Sequence, residues 1–344
     1  MKASVIIPTF NRSGQLSRTL ASLVTLDYGL DLFEIIVVDN GSVDDTKQIV
    51  DSCIVKFPHH KIRYFFDNVP GLLTGRHRGA KEAKGELLIF IDDDISVEKK
   101  WLKSIVNTFE NYPDVHLVGG KCLPAYEKTP PEWLDAFWKE LPDGGKMLTD
   151  LSLCDYGDKE KEVDQTWIWG LNYSIRKSSF LKFGGFHPDN ISPRYQHFQG
   201  DGETGLSLKL KENGAKAWYN PQVIVYHEVP AERMTYFYFE KRYFYQGVCN
   251  SFTGIRRIKG SRIRKIIATF VEMSKALARK ILRTNAFKLT KNNNVSIEVQ
   301  LLFARLSEME KAGYRFHQKI AWSNPQVMEW VLKENYFDYK LPED

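Results

Sequence analysis

Three consecutive aspartates, Asp92, Asp93 and Asp94, follow an apolar run in the segment LLIFIDDD. Neighbouring carboxylates raise one another's pKa unless a cation or a set of donors lies between them. Mg²⁺ and Mn²⁺ suit such a cluster, because they take oxygen ligands and typically bind one or two carboxylates together with substrate phosphates. The alternative is structural: Asp94 caps a helix that begins near Val97, and the other two acids are solvated.

The elements that must position this cluster are short strands alternating with helical segments in the first half of the chain. The runs VII, IIVV and LLIFI are apolar on both faces, which is typical of parallel strands covered by helices on each side. The sequence therefore predicts an open α/β sheet. We expect Ser13 to cap the first helix, and Asp44 and Asp45 to open the second.

Polar residues crowd the predicted carboxyl ends of these strands, where open α/β sheets bind their ligands. The segments at this edge read PTFNR, DNGSVDD, DNVPG and DDD. The candidate ligand-binding residues taken from them are Thr9, Asn11, Arg12, Asp39, Asn40, Gly71, Asp92 and Asp93.

The alternation breaks down after the first third of the chain, which indicates a division into parts. We predict one α/β domain over residues 1–230, with a boundary near residue 122 between its two halves. Residues 231–344 are predicted to form a helical, basic C-terminal region. The chain has 344 residues, of which 43% are hydrophobic, enough for a substantial core.

No apolar run approaches the roughly 20 residues that a membrane span needs, and the first residues, MKASVIIPTF, lack the features of a signal peptide. The four cysteines have no CxxC spacing, so neither a zinc site nor a disulfide framework is expected. These features predict a cytoplasmic protein.

The net charge of +5 is concentrated in one segment. Between Ser251 and Thr290 there are eleven Lys or Arg residues and a single acid, Glu272. Apolar residues recur at helical spacing from Ile263 to Ile281, so residues 253–290 predict an amphipathic, cationic helix. Three interpretations stay open: packing on the catalytic domain, peripheral binding to the inner face of an anionic membrane, and, least favoured, binding to nucleic acid.

Several motifs together resemble the family 2 glycosyltransferases, whose fold is called GT-A. In chain order they are VIIPTFNR, IIVVDNGSVDDT, PGLLTGRHRGAKEAKGE, LLIFIDDD, WGLNYSIRK and GDGETGLSLKLKENG, and the resemblance covers about residues 3 to 230. It implies an inverting GT-A enzyme with a Rossmann-like mixed sheet and a helical C-terminal extension. Residues 1–230 would then be the catalytic domain, with a nucleotide-sugar-binding half at 1–122 and an acceptor and catalytic half at 123–230.

The resemblance implies roles for the donor-binding residues. Thr9 and Asp39 would contact the nucleobase, with UDP as the expected nucleotide, and Arg76 would face the base or the phosphates. Asp92 would approach the ribose. The chain departs from the family at position 77, where a histidine replaces the usual asparagine.

The aspartate triplet matches the DXD motif of the family, so Asp94 would bind Mn²⁺ or Mg²⁺ bridging the two phosphates of the donor. His227, which follows a predicted strand in VIVYHEV, would complete the metal shell, as a histidine near this position does in some relatives. A histidine with a purely structural role is the alternative.

An acceptor hydroxyl that attacks the anomeric carbon must lose a proton, which calls for a base on the opposite face of the sugar. The family usually has Gly-Glu-Asp here, with the last acid as base, and this chain has GDGE. Glu203 is the preferred catalytic base and Asp201 the second candidate. A single carboxylate base without a second nucleophile favours direct displacement, and therefore inversion.

Trp169 and Asn172 lie where the family has its acceptor loop, and we expect both to contact the acceptor. The predicted enzyme transfers a sugar from a nucleoside diphosphate to a glycan or a lipid-linked hydroxyl, as in polysaccharide biosynthesis. Two alternatives remain: a nucleotidyltransferase-like enzyme, and an inactive nucleotide-sugar-binding or scaffold protein.

Overall fold

A computed structural model describes residues 1–69, 71–191, 193–258 and 296–337. Most of the predicted basic helix at 253–290 lies outside these residues. The described residues form two compact units. The first contains residues 1–196, 201–235 and the terminal stretch from Glu334, and the second contains residues 197–200 and 236–333. The functional division predicted at residues 122 and 230 stays a prediction.

The first unit contains all fourteen strands of the described residues: β1 (Ala3–Thr9), β2 (Phe33–Asp39), β3 (Ile62–Phe66), β4 (Leu87–Phe90), β5 (Ile95–Val97), β6 (Val115–Gly119), β7 (Cys122–Tyr126), β8 (Lys139–Glu140), β9 (Lys146–Leu148), β10 (Leu153–Asp155), β11 (Lys161–Val163), β12 (Tyr173–Arg176), β13 (Lys216–Tyr219) and β14 (Val225–Val229). The α-helices of the first unit are α1 (Ser13–Leu23), α2 (Thr46–Lys56), α3 (Leu72–Glu82), α4 (Trp101–Asn111), α5 (Lys177–Lys182) and α6 (Glu203–Glu212). Short 3₁₀ helices cover Glu132–Phe137, Pro142–Gly144, Thr149–Leu151, Gln165–Trp167, Gly170–Asn172, Pro193–Phe198 and Ala231–Met234.

The larger sheet has the strand order β11-β13-β6-β12-β4-β1-β2-β3. Its first four strands in the chain, β1 to β4, pair in parallel, whereas β12 is antiparallel to both β4 and β6. Every residue of β1, β2 and β4 is buried, as their continuous apolar runs predict. The predicted mixed α/β sheet is confirmed. β2 lies on one side of β1 and β4 on the other, so the strand order reverses between β1 and β4. In open α/β sheets a crevice forms at such a point, beyond the carboxyl ends of the two strands.

A second sheet has the order β5-β14-β7-β10-β9-β8. Strand β5 begins directly after the aspartate triplet and pairs antiparallel with β14, with Ile95 opposite His227. This corrects the structural alternative for Asp94, because a strand follows the triplet and α4 begins only at Trp101, after Lys100. Asp94 therefore does not cap that helix.

The helix caps differ from the prediction at Ser13, which is the first residue of α1 and follows the capping position. Its backbone N–H donates to Asp44 Oδ2 at 2.9 Å. The other oxygen of Asp44 accepts the N–H of Thr46, the first residue of α2. One acid therefore satisfies donors at the starts of both helices, and Asp45 makes no side-chain capping bond.

The second unit contains α7 (Tyr236–Arg257), α8 (Ile297–Ser323) and α9 (Pro325–Leu332), which confirms the helical C-terminal region. Contacts between α7 and α8 advance in the same direction, from Tyr236 with Glu298 to Ser251 with His317, so the two helices run parallel. No helix within the described ranges is long and apolar enough to cross a membrane.

Candidate active site

The aspartate triplet lies at the crevice between β1 and β4. The parallel pairing of these strands brings Thr9 to Asp93, and Thr9 Oγ1 donates to Asp93 Oδ2 at 2.8 Å. Arg12, in the loop after β1, donates from Nη1 to Asp93 Oδ1 at 2.9 Å and to Asp94 Oδ2 at 3.0 Å. The structure therefore brings four of the predicted site residues together.

Each carboxylate of the triplet is paired with an arginine. Arg76 donates to Asp92 at 2.8 Å, Arg12 contacts Asp93 and Asp94, and Arg233 donates to Asp94 Oδ2 at 3.0 Å. The like charges are thus neutralised by guanidinium groups. Sequence reasoning missed Arg233, whose only signal was its position six residues after His227.

Asp93 and Asp94 are both buried, yet their acidities differ. Burial raises the pKa of Asp93 to about 6, although Arg12 and Thr9 favour its charged form. Burial also acts to raise the pKa of Asp94, but the positive charges of Arg233 and Arg12 lower that pKa below the ordinary value of an aspartate. Asp94 therefore stays ionised at neutral pH.

His227 lies beside Asp94 because β14 pairs with β5. Its Nδ1–H donates to the carbonyl oxygen of Leu151 at 3.0 Å, and its Nε2 accepts from Arg233 Nη1 at 2.8 Å. Nδ1 therefore carries a proton and Nε2 a lone pair, and this lone pair is directed at Arg233 Nη1. Nε2 lies 3.6 Å from Asp94 Oδ1.

These two atoms fit a divalent cation. Asp94 Oδ1 is buried and has no hydrogen-bond partner in the described part of the chain. Two ligands adjacent on an octahedral ion at about 2.1 Å are separated by about 3 Å, so Nε2 and Oδ1, which lie 3.6 Å apart, would move closer together to share an ion. Within the described residues, no group of three His, Cys, Asp or Glu side chains could hold a metal ion. An ion here would need further oxygen ligands, such as donor phosphates.

The residues predicted to hold the nucleobase lie at the ends of neighbouring strands. Thr9 and Asp39 are opposite each other in the pairing of β1 with β2. Asp39 is buried, and its oxygens accept from the Ser42 N–H at 2.7 Å and from the Tyr64 hydroxyl at 2.8 Å. These bonds hold the Asp39 carboxylate in one orientation at the predicted nucleotide edge.

Three further predicted donor-binding residues shape the loops at this edge. Asn11 has a positive φ of 52° and accepts the N–H of Val43 through its side chain. Asn40 donates to Thr74 Oγ1 at 3.0 Å, and Gly71 stands immediately before α3 with a φ of 115°. Their hydrogen bonds and backbone conformations set the paths of the loops after β1, β2 and β3.

Arg76 lies under the triplet on α3. It is only 3% exposed, and its guanidinium lies over the ring of Phe186. One Nη donates to Asp92, and the other lies 3.8 Å from Glu203 Oε2. Arg76 therefore connects an aspartate of the triplet with the preferred base, a contact that the sequence prediction of a nucleobase or phosphate role did not include.

Glu203 and Asp201 have different environments. Glu203 begins α6, keeps a partly exposed side chain, and accepts the backbone N–H of Gly170 at 3.1 Å. Asp201 is buried, and its Oδ1 accepts from His187 Nδ1 at 2.6 Å. Of the two acids, Glu203 is the one with exposed surface near the triplet.

His77 has a structural position. Its Nε2 accepts the N–H of Phe186 at 2.9 Å, and its Nδ1 donates to the carbonyl oxygen of Tyr336 at 3.0 Å. A histidine suits this buried site because it supplies one acceptor and one donor at opposite edges of its ring.

The two residues predicted to bind the acceptor, Asn172 and Trp169, also have different environments. Asn172 is 1% exposed, accepts from Trp101 Nε1 at 3.1 Å, and donates to the carbonyl oxygen of Val223 at 3.2 Å. These bonds use its amide inside the protein, so the geometry does not favour the predicted acceptor contact. Trp169 is half-buried and directly precedes Gly170, which binds Glu203. For Trp169, acceptor contact stays a prediction.

The model of the family described as "Glycosyl transferase family 2" matches residues 4–179. A glucosyl-dolichyl phosphate glucuronosyltransferase of Haloferax volcanii is 26% identical over 250 residues, which cover 72% of this chain and 75% of that protein. A validoxylamine A glucosyltransferase of Streptomyces hygroscopicus subsp. jinggangensis is 27% identical over 201 residues, 54% of this chain and 47% of that protein. The chain thus matches about half the length of this second relative.

Two solved structures have a similar fold. TarS 1–349 of Staphylococcus aureus in complex with UDP has a TM-score of 0.50 and 18% identity, covering 94% of this chain and 92% of that one. The mannosyltransferase PcManGT of Pyrobaculum calidifontis, in complex with GDP-Man and Mn²⁺, has a TM-score of 0.53 and 17% identity, covering 97% and 86%.

These likenesses confirm the GT-A fold, and the family match favours a transferase over the nucleotidyltransferase and scaffold alternatives. The motifs that carried the resemblance and the family model coincide from VIIPTFNR to WGLNYSIRK. The chain belongs to glycosyl transferase family 2, and it is a glycosyltransferase.

Proposed function

We propose that this enzyme moves a hexosyl group from a nucleoside diphosphate sugar to a hydroxyl of a glycan or lipid-linked acceptor, with inversion at the anomeric carbon. Relatives named for transfer to a dolichyl phosphate sugar and to a diphospho-undecaprenol oligosaccharide support the acceptor class. Structures of similar fold bound to UDP and to GDP-Man support the donor class.

One observation carries the proposal: Glu203 and Asp92 contact the same guanidinium, that of Arg76. A base on the acceptor side and a carboxylate on the donor side are thereby held by ion pairs to one arginine. A base held at a fixed distance from the donor-binding residues would meet the bound donor and acceptor in one geometry, which lowers the entropic part of the activation barrier.

In this proposal Glu203 Oε2 takes the proton of the attacking acceptor hydroxyl. The Gly170 N–H bond to Oε1 leaves Oε2 as the oxygen that turns toward Arg76 and the crevice. Asp201 acts as a positioning residue through His187, and Trp169 stacks on the acceptor sugar ring. A single carboxylate base supports direct displacement and an inverted product.

Asp94 and His227 would hold Mn²⁺ or Mg²⁺. When bound, the ion would neutralise the negative charge that develops on the leaving diphosphate. Thr9 and Arg12 orient and neutralise Asp93, while Asp39 lies at the nucleobase edge. The basic segment at 253–290 is proposed to bind an anionic membrane surface near a lipid-linked acceptor. Its charge pattern supports that role.

The base assignment is tested by comparing Glu203→Gln with Asp201→Asn. Glu203→Gln should lower kcat by about 10² to 10⁴-fold, the usual contribution of a general base, while the Kd of UDP measured by calorimetry changes less than about twofold. Asp201→Asn should reduce kcat much less. Near-normal turnover in Glu203→Gln would move the base to Asp201.

The stereochemical proposal has its own measurement. Proton NMR of the new linkage formed from an α-linked donor should reveal an equatorial bond. An axial bond would contradict direct displacement.

A further inference from the structure

Arg233 bridges the two side chains proposed to hold the divalent cation. Its Nη1 donates to His227 Nε2 at 2.8 Å and its Nη2 donates to Asp94 Oδ2 at 3.0 Å. It lies in the 3₁₀ helix at Ala231–Met234, directly after β14, and its side chain is 17% exposed. A guanidinium therefore neutralises Asp94 through Oδ2, whereas the ion would bind the other oxygen, Oδ1, of the same carboxylate.

The hydrogen bonds of His227 make the two occupants mutually exclusive at that atom. Nδ1 carries the proton that is donated to Leu151, so Nε2 has one lone pair. That lone pair accepts from Arg233 in this structure. An imidazole nitrogen binds a metal ion through the same lone pair, so it cannot serve both.

Charge adds to this exclusion. Asp94 contacts two guanidinium groups, those of Arg12 and Arg233, and an arginine stays charged at every ordinary pH. A divalent cation beside both groups would be repelled, and the repulsion is stronger in a buried site than in water. Moving Arg233 away relieves the repulsion and frees the Nε2 lone pair.

We propose that Arg233 competes with the divalent cation for His227 and Asp94, so that the cation binds only when Arg233 leaves them. The inference rests on the proposed metal dependence of the enzyme. It predicts that the nucleotide-free protein binds the cation weakly because of Arg233, although the side chains of Asp94 and His227 already lie side by side.

The test is Mn²⁺ binding to the nucleotide-free protein, followed by calorimetry and by the electron paramagnetic resonance signal of free Mn²⁺. Arg233→Met should bind Mn²⁺ at least about tenfold more tightly than the wild type. Arg18→Met is the matched control, because Arg18 pairs with Glu228, next to His227, and touches neither Asp94 nor the imidazole. Its affinity should stay within about twofold of the wild type.

The outcomes separate the two proposals. If Arg233→Met binds Mn²⁺ no more tightly than the wild type, and Asp94→Ala abolishes that binding, the competition is wrong and the metal site stands. If neither protein binds Mn²⁺, even with UDP added, the metal dependence fails and the competition fails with it. Arg233→Lys keeps the positive charge but cannot make the bidentate contact to His227 and Asp94. Its affinity for Mn²⁺ should therefore lie between those of the wild type and Arg233→Met.

Discussion

At the scale of single residues, the acidity of each aspartate in the triplet depends on which groups pair with its carboxylate. Asp92, Asp93 and Asp94 would repel one another in a buried crevice, and three arginines from separate parts of the chain compensate them. Because each arginine contacts a different member or pair of the triplet, the three acids acquire different environments. Asp93 has a raised pKa, whereas Asp94 has a lowered one.

Trp169 and Asn172, both predicted to bind the acceptor, should respond differently to truncation. Asn172→Ala leaves the Trp101 indole N–H and the Val223 carbonyl without their partner, and each buried unsatisfied group costs about 1 to 3 kcal/mol. We expect the free energy of unfolding to fall by about 2 to 4 kcal/mol in urea denaturation. A loss below about 0.5 kcal/mol would contradict the structural role.

Trp169→Ala, in contrast, should change acceptor binding. The indole is half-buried in the loop beside Gly170, so its loss should raise the KM for the acceptor while the KM for the donor stays the same. Stacking of an indole on a sugar ring contributes about 1 kcal/mol to binding. Its loss corresponds to roughly a fivefold increase in the acceptor KM. An unchanged acceptor KM would remove Trp169 from the proposed acceptor contacts.

At the scale of elements, strand pairing decides which residues meet. The parallel pair β1 and β4 joins Thr9 to Asp93, and the antiparallel pair β5 and β14 joins His227 to Asp94. A one-residue slip of β14 would turn His227 to the opposite face of its sheet, because side chains alternate along a strand. The metal-binding hypothesis therefore depends on this register.

The parallel helices α7 and α8 approach each other closely at two glycines. A Cβ at Gly247 would overlap the carbonyl oxygen of Glu310, and a Cβ at Gly313 would overlap that of Phe244. Gly247→Ala should lower the stability of the second unit by about 1 to 3 kcal/mol, because overpacking against backbone forces the helices apart. Gly254→Ala on the same helix is the control, since the nearest atom, the Tyr314 hydroxyl, is 3.7 Å away.

Urea denaturation of both variants is the measurement. Gly254→Ala should be neutral or stabilising by up to about 1 kcal/mol, as expected for alanine in a helix. Equal effects of the two substitutions would mean that the close helix contact does not exist.

The same helix pair should respond to pH through His317. This residue is fully buried on α8 and its Nδ1 lies 2.7 Å from Ser251 Oγ. Burial, and to a smaller extent His197, lowers the pKa of His317 to about 4, from an ordinary value of 6.5. Because the folded state resists protonation, His317 contributes stability above pH 6.5 that is lost as the pH falls toward 4.

Between pH 7 and pH 4, this difference in pKa corresponds to a loss of about 3 kcal/mol in the free energy of unfolding. His317→Gln does not titrate, so its unfolding free energy should fall by about that much less over the same range. Urea denaturation at both pH values measures the difference. Parallel pH dependences of the two proteins would contradict the lowered pKa.

At the scale of the whole molecule, ligand binding should stabilise the fold. A ligand present at 100 times its Kd adds about 2.7 kcal/mol to the free energy of unfolding, which raises the melting temperature by several degrees. We expect UDP with Mn²⁺ to raise Tm more than GDP or dTDP with Mn²⁺. Asp94→Ala should abolish the part of the shift that depends on the metal.

A thermal-shift series with the three nucleotides, each with and without Mn²⁺, tests this prediction. A larger shift with GDP would change the donor assignment and keep the fold and the metal proposal. The absence of a shift with every nucleotide would contradict the proposed donor class.

Several features of the protein follow from the sequence alone. Continuous apolar runs identified the strands of the parallel sheet, because residues covered on both faces have no polar alternation. The motifs at the strand ends predicted a binding edge, since the carboxyl ends of parallel strands meet at one side of a sheet, and the parallel pairing of β1 to β4 is as predicted. The family membership, the aspartate triplet and the two acids at the start of α6 could all be read from local patterns.

Only the tertiary structure decided which side chains became partners. Arg233 is 139 residues from Asp94 in the chain, Arg12 is 81 residues from Asp93, and both contacts depend on strand register and loop paths. The same holds for Asn172, whose buried amide is hydrogen-bonded to Trp101 and Val223, and for Asp201, which is hydrogen-bonded to His187. Local patterns determine secondary structure, whereas hydrogen-bond partners of buried polar groups are selected by packing between distant segments.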